Sequence, residues 1–150
     1  LTVFWRGVNF LTLAMISKKM KYALKALIYI AENDADQVKT KDIAEQAGIP
    51  KKFLEQILLD LKRGRIVSSK QGNAGGYYYL KKTNEVSVAE VYRIIDGPIA
   101  LIPCVSKNFY EPCEDCKDEA ACKIRLTLSR VREQTIAVME ETTIADLVGS

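Results

Sequence analysis

TKDIAEQAGIPKKFLEQILLDLKRGRIVSSKQGNAGGYYYL, residues 40–80, is the stretch on which the fold turns. Gly48 separates two segments of helical periodicity, at a point where a tight or left-handed backbone is cheapest without a Cβ. Ala44, four residues earlier, is small enough for a second helix to cross closely. Ile43, Ala47, Ile49, Leu54 and Ile57 fall where two crossed helices bury a shared face. Thr40 is expected to cap a first helix over 41–47, and Pro50 opens the second where its missing N–H costs nothing. The second helix runs to about Arg63 and ends at Gly64, with Lys62 and Arg63 in its last turn. Two β-prone runs follow, Ile66-Val67-Ser68-Ser69 and Tyr77-Tyr78-Tyr79-Leu80, around a loop with Gly72, Gly75 and Gly76. They predict a two-stranded wing. An ordinary αα-hairpin followed by a β-hairpin is the plain alternative. Turn glycine, proline and glycine-rich wing occur here in the order of a winged helix-turn-helix, a module that sets one helix in a DNA major groove.

Outward from this unit the chain is mainly α with a small β-wing. Residues 1–14, LTVFWRGVNFLTLA, are apolar but too short to span a bilayer. They are read as an upstream extension outside the fold, with an amphipathic membrane-touching segment as the alternative. Ser17 can cap a helix with Met20, Leu24, Leu27 and Ala31 on its buried face and Lys18, Lys21 and Lys25 outside. Residues 33–36, Asn-Asp-Ala-Asp, break it. After the wing, Ser87 and Glu90 form a capping-box pattern that predicts a helix to about Ile95, stopped by Asp96-Gly97-Pro98. From about Asp118 the pattern is helical again, and Ile124, Leu128, Val131, Thr135 and Val138 recur at four, three, four and three. That spacing is a coiled-coil-like seam. A second copy of the chain is the expected cover, with folding back on the first helix as the alternative. A last turn surrounds Ile144-Ala145-Asp146-Leu147. The domain organisation is therefore an extension (1–14), a winged helix-turn-helix domain (15–98), a cysteine loop (99–122), and a dimerisation helix with a C-terminal turn (123–150).

The net charge is only +3, but residues 1–82 hold 15 Lys and Arg against 7 Asp and Glu, and residues 83–150 hold 7 against 12. The basic half suits a polyanion partner and the acidic half does not. An enzyme is not expected: the chain has no histidine for general-base work, no phosphate-binding loop and no paired-carboxylate motif. With no secretory cleavage pattern, a reducing cytoplasm is the default location. There the four cysteines, all between 104 and 122, point to a metal site or a redox sensor. Cys104-x8-Cys113-x2-Cys116-x5-Cys122 offers four thiolates to a [2Fe–2S] or [4Fe–4S] cluster. The same donors suit a closed zinc site, although zinc favours two close pairs and only Cys113-x2-Cys116 is one. A metal-free thiol switch with Cys113 or Cys116 as resolving residue is the third possibility.

From residue 15 to about 148 the chain resembles the Rrf2 family of bacterial winged-helix regulators, which includes an iron–sulfur assembly regulator and a nitric oxide-sensing repressor. The resemblance is carried by residues 21–27 (KYALKAL), Asp42-Ile43-Ala44, residues 53–58 (FLEQIL), Leu61-Lys62, Gly64 to Ser68, Gly75-Gly76-Tyr77, Asp96-Gly97-Pro98-Ile99 and the downstream cysteines. It implies a homodimer, held through Ile124, Leu128, Val131 and Val138, that binds a pseudo-palindromic double-stranded DNA operator and represses. No membrane partner is expected.

The resemblance also implies an iron–sulfur cluster in the loop leading to the last long helix, placing a cluster ahead of zinc. Cys104, Cys116 and Cys122 match the family's three cysteines, and Cys116-x5-Cys122 has the usual spacing. The Cys104–Cys116 gap is longer than usual and contains Cys113, so either Cys113 or Cys116 is the middle ligand. The family's fourth-ligand positions are occupied by Arg125 and Lys21, which leaves Cys113 as the simplest fourth ligand. On the DNA side, Lys51 and Lys52 suit phosphate or guanine, and Glu55 can accept from cytosine N4. Family position makes Glu55 and Gln56 base-proximal. Lys70, Gln71, Gly75, Gly76 and Tyr77 complete the expected DNA-facing set. Gln71 stands where the family commonly has a wing arginine, and Lys70 is its partial substitute.

Overall fold

A computed structural model describes residues 16–33 and 37–149. The expectations for residues 1–14 and for the break at 34–36 lie outside the described residues. Helix α1 (Lys18–Glu32) starts where the Ser17 hydroxyl accepts the Met20 N–H at 2.9 Å. Ser17 is itself held by Asp96, its N–H donating to the carboxylate at 3.0 Å and its hydroxyl at 2.5 Å. Lys18, Lys21 and Lys25 are exposed as expected. The buried face is Met20, Ala23, Ala26, Leu27 and Ile30, whereas Leu24 and Ala31 are only half-buried. The stripe is wider and rotated because α1 is central, packed against four of the helices that follow it.

Helices α2 (Thr40–Ala47) and α3 (Lys51–Arg63) form the helix-turn-helix. Gly48 joins them in the left-handed region, φ 64° and ψ 42°, where a Cβ would be strained. Ile43, Ile49, Leu54 and Ile57 are fully or almost fully buried between the helices and α1. Thr40 proves to be the first residue of α2 and not its cap. Lys39 takes the cap position in an extended conformation, with no side-chain cap bond. The neighbouring Val38 pairs with the wing and keeps the chain extended up to that point.

The wing consists of β1 (Val67–Lys70) and β2 (Gly76–Tyr79), antiparallel, with Val67 opposite Tyr79 and Lys70 opposite Gly76. Both strands begin one residue away from their expected bounds. Ile66 is claimed by the core instead, and its carbonyl accepts the Leu80 N–H at 3.0 Å. On the other edge Val38 exchanges two bonds with Tyr77, at 2.9 and 2.8 Å. A Cβ on Gly76 would lie 2.6 Å from the Val38 carbonyl oxygen, so that edge closes only over glycine. The Tyr79 hydroxyl donates to the Leu27 carbonyl at 2.7 Å and fastens the wing to α1.

Helix α4 (Val88–Ile95) is capped by Ser87, which accepts the Glu90 N–H at 3.1 Å. Only this half of the expected capping box forms, because the Glu90 carboxylate turns to Lys81 Nζ at 2.5 Å. A complete box occurs at Thr143 and Asp146, opening α6 (Ile144–Val148), which packs on α1. Helix α5 (Lys123–Glu141) begins later than the pattern from Asp118 predicts. Asp118 accepts the N–H groups of Ala120 and Ala121 at 2.9 and 3.2 Å in a separate turn. The helix then starts after Cys122, whose sulfur accepts the Arg125 N–H at 3.4 Å. Helix α5 leans on α4 and on the short 3₁₀ turn Pro103–Val105, and Arg132 is its one fully buried residue. Among the described residues no helix is long and apolar enough to cross a membrane.

Candidate functional site

Two surfaces carry the candidate residues. The first is the outer face of α3 with the wing. Leu54, Ile57, Leu58 and Leu61 bury one side of the helix, which leaves Lys51, Lys52, Glu55 and Gln56 exposed on the other. Lys62 Nζ donates to the Ser69 hydroxyl at 2.7 Å and ties the end of α3 to β1. Lys70 and Gln71 are exposed at the wing tip. Gly75 is buried against the wing's own backbone at Lys70 and Gln71, and Gly76 is half-buried against Gln37 and Val38, so both have a packing role. Tyr77 is half-buried, and its hydroxyl is held above its ordinary pKa by burial and then by the nearby Glu55 carboxylate. Tyr77 of the wing and Glu55 of α3 are thus close enough to interact. Strand alternation turns Tyr78 outward, away from the side that buries Tyr77 and Tyr79.

The second surface is a cavity of about 420 Å³ that all four cysteines line, with Asp115, Asp118, Glu119, Lys117 and Arg125 around them. Cys104 is buried in the Pro103–Val105 turn, and the other three are half-buried. All four are free thiols. The Cys113 thiol donates to the Cys104 sulfur at 3.7 Å. That bond, reinforced by burial and nearby negative charge, pushes the Cys113 thiol up to about 11. Cys116 is also held above the usual thiol range, by burial and then by its neighbour Cys122. Cys104 with Cys113 is thus a bonded pair, and Cys116 with Cys122 a neighbouring one. Among the described residues no three His, Cys, Asp or Glu side chains converge closely enough to hold a metal ion. The donor chemistry fits a thiolate-held group, and ligation requires the two pairs to draw together.

The cysteine turn is fastened to α5 by two arginines one heptad apart. Arg125 Nε donates to the Cys104 carbonyl at 3.3 Å and faces Glu119 at 3.8 Å. Arg132 Nη1 donates to the Val105 carbonyl. Sequence reasoning treats Arg125 only as a residue that cannot ligate, and does not single out Arg132. Their spacing of seven, on the flank of the apolar seam, is the signal that finds them. The seam itself lies open in the protomer. Ile124 is 68 % exposed, Val131 39 % and Val138 62 %, while Leu128 and Thr135 are half-buried.

Known proteins share the fold. The family model described as "Rrf2: Iron-dependent Transcriptional regulator" matches residues 16–150. A protein of Rhodobacter capsulatus named as an rrf2-like HTH-type transcriptional regulator is 46 % identical over 140 residues, covering 91 % of this chain and 93 % of its own. The solved structure of CymR, the global cysteine regulator of Bacillus subtilis, superposes with a TM-score of 0.74 at 27 % identity, covering 89 % of this chain and 95 % of CymR. T. potens IscR has the same fold, with a TM-score of 0.70 at 21 % identity, over 89 % of this chain and 85 % of that one. The Rhodobacter and Bacillus relatives are named as regulators. With a helix-turn-helix, a paired wing and a long helix tied to a cysteine loop, the chain belongs to the Rrf2 family of transcriptional regulators.

Proposed function

We propose that the protein is a homodimeric repressor whose operator affinity is set by the state of Cys104, Cys113, Cys116 and Cys122. The observation that carries this is mechanical. The four thiols line one cavity, and the turn that holds Cys104 is bonded to the dimer helix by Arg125 and Arg132. On DNA, α3 enters the major groove with Lys51 and Lys52 on phosphates and Glu55 and Gln56 at base edges. Lys70 and Gln71 at the wing tip lie against the adjoining backbone. Two copies joined along Ile124, Leu128, Val131 and Val138 present two such helices to the half-sites of a pseudo-palindrome.

The four cysteines would hold an iron–sulfur cluster, which supplies a redox-active, ligand-reactive centre when bound. The family's iron-dependent description supports it. Held by these residues, a cluster would tie Cys104 to Cys122, the residue that caps α5. The position of α5 relative to the winged unit then sets the spacing of the two recognition helices. A second possibility, a metal-free thiol switch, is favoured by the 3.7 Å approach of Cys113 to Cys104 and by the likeness to CymR. Zinc, as a closed structural site, ranks third.

Anaerobic purification with an absorption spectrum and iron, sulfide and zinc assays decides among the three. Loaded and metal-free protein should differ at least about tenfold in operator affinity, which is ~1.4 kcal/mol. Cys104→Ala and Cys122→Ala should lock the metal-free response, and Cys113→Ala beside Cys116→Ala identifies the required middle ligand. Wild-type DNA response from all four single variants would reduce the protein to a constitutive DNA-binding regulator.

A further inference from the structure

A second cavity, of about 200 Å³, lies between the end of α4, the Gly97–Ile99 segment, the Ser106–Phe109 loop and α5. It shares no lining residue with the cysteine cavity. Three cations line it, Arg93, Lys107 and Arg132, and no carboxylate does, although it sits in the acidic half of the chain. Arg132 is only 8 % exposed, a burial that charged side chains rarely reach unpaired. Its Nη1 is used by the Val105 carbonyl. Its Nη2 reaches the carboxylate of Glu133 at 3.2 Å, but that side chain is 61 % exposed and so a weak counter-ion. Its Nε has no hydrogen-bond partner among the described residues. A structural role in holding the turn explains one of these groups. It does not explain a buried guanidinium beside a cavity without a buried negative charge.

We infer that this cavity is a binding site for a small organic carboxylate, with Arg132 and Lys107 as its charge partners. Guanidinium and carboxylate pair with directional, charge-assisted bonds. Beside the polar Ser106 and Asn108, Pro98, Ile99, Phe109 and Ile136 give the wall an apolar part that suits a short carbon chain better than an inorganic anion. The volume lies below the roughly 300–1,000 Å³ of sites for drug-sized ligands, so the ligand is small. Arg93 closes one side through its ion pair with Glu140 at 2.7 Å, which bridges α4 to α5. Occupancy therefore bears on the contact between the winged unit and the dimer helix, two residues from Cys104. The dimer seam remains free, because it lies about a quarter-turn round α5 from Arg132 and Ile136.

The test is calorimetric titration of the full chain, without DNA, with 2-oxobutyrate, butyrate and inorganic phosphate as probes, alongside thermal melting. The expected result is saturable binding of at least one carboxylate with Kd near or below about 1 mM, and a matching rise in Tm. Lys107→Glu, at an exposed loop position, should weaken binding at least about tenfold. Arg132→Met should abolish it, and Cys104→Ala should leave it unchanged. If Arg132→Met does not fold, Lys107→Glu decides alone. The inference is overturned if neither carboxylate saturates by about 10 mM, if binding survives the charge-removing variants, or if phosphate binds as tightly as the carboxylates. Since no DNA is present, failure here leaves the proposed operator binding standing.

Discussion

Val138→Glu isolates the dimer seam from the fold of the protomer. Val138 is 62 % exposed in the single chain, and the Glu140–Arg93 pair on the neighbouring face does not depend on it. A surface substitution of this kind changes protomer stability by no more than about 0.5 kcal/mol. In the dimer the effect is different. Complete burial of a valine side chain contributes roughly 1.5–3 kcal/mol, so covering the exposed part of Val138 contributes about 1–2 kcal/mol per subunit. The glutamate forfeits this in both copies and also places a carboxylate against the apolar seam, at a cost of several kcal/mol unless it is paired. A total of about 4 kcal/mol or more corresponds to roughly a thousandfold in the dimer dissociation constant. Sedimentation equilibrium and light scattering should show a wild-type dimer and a variant monomer at micromolar concentration, with unchanged helical circular dichroism. Operator affinity should fall with the loss of the second recognition helix. A Val138→Glu protein that stays dimeric, or a wild type that is monomeric at micromolar concentration, refutes the seam.

Further outcomes follow from individual contacts. Lys51→Ala and Lys52→Ala should weaken binding to every duplex and each lower the salt slope by about one unit, measured by fluorescence anisotropy across salt concentrations. Glu55→Ala should instead relax base preference on a panel of operator variants. Gly76→Ala brings a methyl to 2.6 Å from the Val38 carbonyl oxygen, so overpacking of about 1–3 kcal/mol is expected, read as a lower Tm and weaker operator binding. Thr143→Ala removes the cap of α6 and should cost about 0.5–2 kcal/mol in chemical denaturation. The same cap lowers the Asp146 pKa through the Thr143 hydroxyl and backbone N–H, so its contribution is present above the usual carboxylate pKa and is lost as pH falls through the lowered value.

The winged helix-turn-helix is legible in the sequence because its signals are local. Gly48 needs a left-handed backbone, Pro50 needs a helix start, and the apolar residues of α3 recur every three or four positions. Each is a property of a few adjacent residues, and the structure places Gly48 and the α3 face as expected, with Pro50 one position earlier than expected, at the cap of α3. The open seam on α5 is legible for the same reason. The cysteines announce thiol chemistry by their spacing, but spacing alone does not pair 104 with 113 and 116 with 122. Local signals also mislead where a distant partner competes. Glu90 leaves its capping box for Lys81, and Thr40 yields the cap because Val38 is held by Tyr77, 39 positions away in sequence. The bonds from Arg125 and Arg132 to the cysteine turn span 21 and 27 positions, and that from Ser17 to Asp96 spans 79. Periodicity and turn chemistry are energies of neighbouring residues, so the sequence by itself determines them. Which buried cation meets which carbonyl depends on how α4, α5 and the loop close around one another, and only the packed structure decides it.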